Sequence, residues 1–194
     1  MMAAAPAPEV LADHRGNPRA SFDMPLDYEA ARLNMAFHEA GHAVLALAGG
    51  VHVVTSEIIA WPTGKDGWSV IGNTAFEADS VNPWRFAAQC AAGEIASVQY
   101  LMAYGLWTPE RAYACTADHD REQAIDVLAD FGYRLGRDHV PEGGKSWGMA
   151  RRKVGYLWRE IRTVAHAMTE HDKLTGDEIA AMTSLTNAPL RGGS

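Results

Sequence analysis

Cysteine is scarce: only Cys90 and Cys115 occur in 194 residues. That count excludes a disulfide-stapled secreted scaffold, and a chain of this length holds a core without staples. The pair reads as free thiols in a reducing compartment. Long apolar runs are missing too. The longest, Ala40–Val54, is interrupted by His42, Gly49, Gly50 and His52, and is too short and broken to span a bilayer. Residues Met1–Pro8 hold no basic stretch followed by an apolar one, so no secretory signal is expected. Basic charge is in deficit, with 17 Lys and Arg against 24 Asp and Glu and a net charge of −7. That sign disfavours nucleic acid and anionic membrane as partners. These absences lead to the expectation of a cytoplasmic protein with no membrane span. What remains is an ordinary globular composition, 47% hydrophobic and 21% charged, which excludes wholesale disorder.

Residues 1–26, with Pro6, Pro8 and Pro18 and no periodicity, read as a disordered or loosely packed arm. A single domain is expected at 27–187, and a flexible tail at 188–194. The first helix should run from Asp27 to Ala48 and end at Gly49-Gly50. Val51–Ala60 and Trp68–Phe76 are rich in β-branched and aromatic residues and flank a turn signal at Pro62–Gly67, the pattern of a hairpin or small sheet. Asn82-Pro83 joins a capping residue to proline at the first helical position and opens a helix to about Tyr104. A loop is expected at Leu106–Cys115, a third helix from about Thr116 to Leu135, a glycine-rich loop at Gly136–Gly148, and a fourth helix from about Met149 to His171. On that fourth helix Tyr156, Leu157, Ile161 and Val164 read as core. Thr175-Gly176-Asp177-Glu178 has capping-box spacing and opens a short last helix. The expected class is α+β, mainly helical with a small β-sheet or hairpin.

The chemistry lies in His38-Glu39-Ala40-Gly41-His42. Residues four apart on a helix share a face, so His38 and His42 can grip one Zn²⁺ through ring nitrogens. Glu39, beside that face, reaches a metal-activated water without occupying the metal and is suited to act as general base. Gly41 costs about 1 kcal/mol in a helix interior relative to Ala, so its presence points to a packing or site reason. A hydrolytic zinc needs a third protein ligand. Glu94, Asp118, His119, Asp120 and Glu122 are all candidates, and spacing alone does not separate them.

The run Ala36–Val44 resembles the zinc helix of the FtsH peptidase domain, the protease half of ATP-dependent membrane zinc proteases. Ile58–Pro62 with Gly72–Phe76 is similar to that family's strand, turn and edge strand. Ala92–Ala96 resembles its Gly-x-x-Ala helix, Thr116–Ala124 the segment carrying its third ligand, and Leu174–Ile179 its closing helix. The resemblance spans about residues 28–186. It implies an FtsH-peptidase-like zincin fold, with His38, His42 and Asp120 as zinc ligands and Glu39 as catalytic base. It also implies an edge strand at Gly72, Asn73, Thr74, Ala75 and Phe76 to which an extended protein or peptide substrate adds as a further strand. Two departures accompany it: Glu94 stands where the family has arginine, and Ser97 where it has an acid.

The expectation is a zinc endopeptidase acting on unfolded or exposed segments. No ATPase module is apparent, so it would work alone, as a homo-oligomer or with a separate unfoldase. The alternative is a non-proteolytic zinc-containing module that binds a peptide or partner. Gly144-Lys145-Ser146 mimics the end of a P-loop, but His139 stands where that motif needs glycine. The basic run Arg151-Arg152-Lys153 reads as a solvated face.

Overall fold

The computed structural model describes residues 6–7, 11–13, 15–19, 24–63, 67–77, 82–133 and 145–189. The middle of the Pro62–Gly67 turn, most of the Gly136–Gly148 loop (with Gly144 and His139) and residues 190–194 of the tail lie outside them.

The first helix, α1 (Tyr28–Ala48), starts where the Asp27 side chain accepts from the Ala30 N–H. It stops at Gly49, and Gly50 follows with φ +78°. From Ala36 to Leu47 every residue is buried, because α1 runs through the middle of the molecule. Helices and sheet surround it, so it lacks the polar stripe of a surface helix. The strands β1 (His52–Pro62) and β2 (Trp68–Glu77) pair antiparallel, with an irregularity between Val53 and Thr55. A short β3 (Lys173–Thr175) pairs with the other side of β1, giving the order β2-β1-β3 and leaving β2 with one edge outside the sheet.

Asn82 caps α2 (Pro83–Ala103), accepting from the N–H groups of Trp84 and Arg85 at 3.1 Å. α1 and α2 approach closely at Gly41, where a Cβ would stand 2.7 Å from the Ala92 carbonyl oxygen. That contact is the packing reason for glycine inside α1. Phe37 stacks between Tyr100 and Trp158 at centroid distances of 4.9 and 5.0 Å, fixing the far side of the same helix.

The remaining elements are α3 (Pro109–Ala114), α4 (Asp118–Asp130), α5 (Lys145–Tyr156), α6 (Trp158–His171) and α7 (Gly176–Thr183). Four expectations are corrected. The segment read as a loop contains α3, whose Thr108 side chain caps Arg111 N–H just before Pro109. α4 ends at Asp130, short of Leu135, and Gly132 takes φ +81°. The fourth helix is two, α5 beginning earlier than Met149 and α6 restarting after Leu157. With that break Tyr156 points outward, 87% exposed, whereas Ile161 and Val164 are core as expected. The capping box at α7 is fully formed: Thr175 N–H donates to Glu178, and Glu178 N–H donates to the Thr175 hydroxyl.

The main core gathers α1, the inner side of β1, α2, α5 and α6. A second, smaller cluster (Phe86, Ala87, Cys90, Ala124 and Leu128) holds α4 against α2. Both cysteines are buried free thiols. Among the described residues, no helix is long and apolar enough to cross a membrane.

Candidate metal centre

α1 presents His38 and His42 on one side, one turn apart, and α4 delivers Asp120 from its first turn. The three donor atoms form a nearly equilateral triangle. His38 Nε2 and His42 Nε2 lie 3.0 Å apart, and Asp120 Oδ2 stands 3.2 Å from the first and 3.1 Å from the second. All three residues are buried. Ligands about 2.0–2.1 Å from a tetrahedral ion lie about 3.3 Å from one another, so the observed edges suit an ion bound by all three.

The electrostatics agree. Three electron-rich atoms this close require positive charge between them. Burial works most strongly against a charged His42, but the charge and hydrogen bond of Asp120, with Glu39 adding to them, overcome it and push the imidazole up to about 9. Burial likewise opposes charge on Asp120, yet the facing imidazoles hold its carboxyl well below the usual range. In the metal-free protein a proton therefore stands in for a cation.

Glycine creates the space. A Cβ at Gly93 of α2 would stand 2.6 Å from His38 Nε2 and closer still to His42 Nε2. Any side chain there would fill the position a metal needs. This requirement is invisible in the sequence, since Gly93 lies far along the chain from both histidines.

Neighbouring groups aim the donors. His42 Nδ1–H donates to the Gln89 carbonyl at 2.8 Å, which reserves Nε2 for Asp120 or, once deprotonated, for a metal. Ser97 Oγ lies 3.5 Å from His38 Nδ1. His119 is not part of the donor triangle. Its Nε2 stands 3.2 Å from Asp120 Oδ1, the oxygen turned away from the imidazoles, and burial lowers its pKa with Asp120 opposing. Glu94 is also excluded as a donor, because Arg121 Nη2 and Nε bind its carboxylate at 2.7 and 3.0 Å.

Glu39, 4% exposed, turns toward β2. Its Oε2 accepts from Thr74 Oγ1 at 2.6 Å, and Thr74 Oγ1 lies 2.8 Å from Ser56 Oγ on β1. Gly72 gives it room, since a Cβ there would meet Glu39 Cδ at 2.5 Å. The sequence marks Thr74 only as part of an edge strand; its hold on Glu39 spans 35 residues and leaves no local signal. The whole run Gly72–Phe76 lines a cleft of about 380 Å³ together with Glu39, His42 and Asp120. A second cleft of about 740 Å³ adjoins it, with His38 and Glu39 at one end and Trp61, Trp68 and Val70 along its wall. The sequence-derived residues thus converge on one site, able to hold a cation beside a buried carboxylate and an edge strand. No protein-family model matches the chain, and no curated protein matches it.

Proposed function

We propose that the chain is a zinc-dependent endopeptidase, an FtsH-peptidase-like zincin, that cuts unfolded or exposed protein segments laid along β2. The observation that carries this reading is the His38–His42–Asp120 triangle with Glu39 on the same helical turn, opening onto an edge strand. Two imidazoles and one carboxylate are a donor set that zinc takes in hydrolytic sites, with a fourth position open. The same set also serves iron(II), but a buried carboxylate placed beside the donors and outside their triangle favours the hydrolytic ion. The resemblance of Ala36–Val44 and Thr116–Ala124 to the FtsH segments supports the same choice.

When bound, zinc supplies Lewis-acid polarisation of the scissile carbonyl and an acidified water. Glu39 accepts the proton of the attacking water and returns it to the departing nitrogen. Thr74 holds that carboxylate against β2, where the peptide backbone would run. An added strand draws on main-chain hydrogen bonds, which every extended sequence offers and a folded one does not. That is the physical reason for a preference for unfolded segments.

Metal analysis of the purified protein should find about one zinc per chain, lost in His42→Ala. Glu39→Gln should retain the metal while cleavage of an unfolded protein falls by about 100-fold or more. A wild-type protein that holds zinc but cuts neither unfolded proteins nor a peptide library would replace this reading with a non-proteolytic, peptide-binding zinc module.

A further inference from the structure

Residues 11–13 and 15–19 fold into a turn that lies against the cleft. The turn is closed on itself: Asp13 N–H donates to the Asn17 carbonyl at 2.7 Å, and Arg19 N–H to the Leu11 carbonyl at 2.8 Å. Two arginines fasten it to separate elements. Arg15 grips both carboxylate oxygens of Asp126 on α4, with Nε 2.9 Å from Oδ2, and its Nη1 stands 3.5 Å from Glu122. Arg19 Nη1 donates to the Gly72 carbonyl on β2 at 3.1 Å, while its Nε donates to Ala12 within the turn. Leu11, Ala12 and Arg19 form part of the walls of the two clefts that meet at Glu39.

The outer edge of β2 is where a peptide would add, and Gly72 is one of its main-chain acceptors. The Arg19 guanidinium already occupies that acceptor, and the turn stands in the space beside it. We propose that the turn of residues 11–13 and 15–19 forms an inhibitory cover, which has to leave β2 before a peptide can pair with that strand. This rests on the reading of β2 as the substrate's docking edge. The fastening is suited to release. The Arg15 and Asp126 side chains are 47% and 38% exposed, so salt and water weaken the pair.

The test uses the full chain in a Glu39→Gln background, so that the probe survives, and reads affinity by fluorescence anisotropy. The probe is reduced, carboxymethylated lactalbumin carrying fluorescein, a permanently unfolded polypeptide. Arg15→Glu, which sets like charges against Asp126 and Glu122, should tighten binding by about fivefold. Adding Asp126→Arg should restore most of the original affinity, because that pair is rebuilt with its charges exchanged while Glu122 alone still opposes the new carboxylate. Arg19→Ala, which frees the Gly72 carbonyl, should tighten binding on its own. Equal affinity in all these proteins overturns the cover, as does a tightening by Arg15→Glu that survives the charge exchange. Cleavage by the same variants with Glu39 intact is read separately. If affinities follow the expected pattern but nothing is cut, the cover stands and the peptidase reading falls.

Discussion

Replacing Gly93 by alanine isolates the metal centre from the rest of the fold. The added Cβ would stand 2.6 Å from His38 Nε2 and 2.7 Å from His38 Cε1, where real Cβ atoms keep at least 3.0 Å. Both rings must retreat by several tenths of an ångström, and the methyl group takes the space between them. Losing an orienting neighbour of a ligand typically weakens metal binding about 10–100-fold; a direct obstruction belongs at or beyond the upper end. The helix itself gains, since alanine is favoured over glycine by about 1 kcal/mol in a helix interior. The metal-free variant should therefore fold, which separates loss of the site from loss of structure. Thermal melts with and without zinc read both quantities. At zinc about 1,000-fold above Kd, binding would stabilise the wild type by about 4 kcal/mol, a rise of about 8–16 °C for a domain of this size. A 100-fold weaker site leaves about 1.4 kcal/mol, or about 3–6 °C. A Gly93→Ala protein that melts like wild type in both conditions would refute the placement of a metal between the two histidines.

Metal uptake should also displace a proton. His42 in the metal-free protein is pushed up to about 9 and must be neutral to ligate, so calorimetry at pH 7 in buffers of different ionisation enthalpy should show about one proton released per metal. Because that folded value lies above the unfolded one of about 6.5, the stabilisation it gives the metal-free protein is complete below about pH 6.5 and fades as pH rises toward 9. Urea midpoints that rise with alkalinity over this window would count against it. Burial pushes the Cys115 thiol up to about 12 and holds the Cys90 thiol well above its ordinary value, so iodoacetamide at pH 8 should leave the folded protein unmodified and label both thiols in guanidinium. Leu128→Ala, at a fully buried position of the smaller core, should cost about 2–4 kcal/mol in urea unfolding; a cost under 1 kcal/mol would mean that α4 is not packed as described.

Local signals in the sequence mark several elements. Asp27, Asn82-Pro83 and Thr175–Glu178 each cap the helix they announce. The three-residue β3 carries no alternation to read; pairing with β1 creates it. Thr108-Pro109 carries the same cap-and-proline signal as Asn82-Pro83, but the helix it opens is only six residues long, too short to show a period. The break at Leu157 interrupts a stretch whose helical period continues on both sides. At the metal centre, His38, Glu39 and His42 are legible because one helix carries all three. Asp120 could be singled out from its acidic neighbours only by resemblance. The choice of Asp120 over Glu94 depends on where α4 docks and on Arg121 engaging the competing acid. The contacts that Gly93, Gly72 and Thr74 make with the α1 side chains act entirely across chain distance, so no pattern of neighbours announces those roles.

The small cluster under α4 gives the third donor a separate fate from the first two. His38 and His42 ride on the most deeply embedded helix, and they keep their spacing as long as the molecule is folded at all. Asp120 rides on a helix held to α2 by a handful of side chains apart from the main core. Such a helix can come away in a partial opening that leaves the central packing intact. Escape of an ion held by all three donors would then be limited by the lifting of one helix, and its dissociation rate would serve as a clock for that motion. The same opening strips Arg15 of Asp126, its anchor on α4. Retention of an ion and the covering turn would thereby be tied to a single hinge-like element.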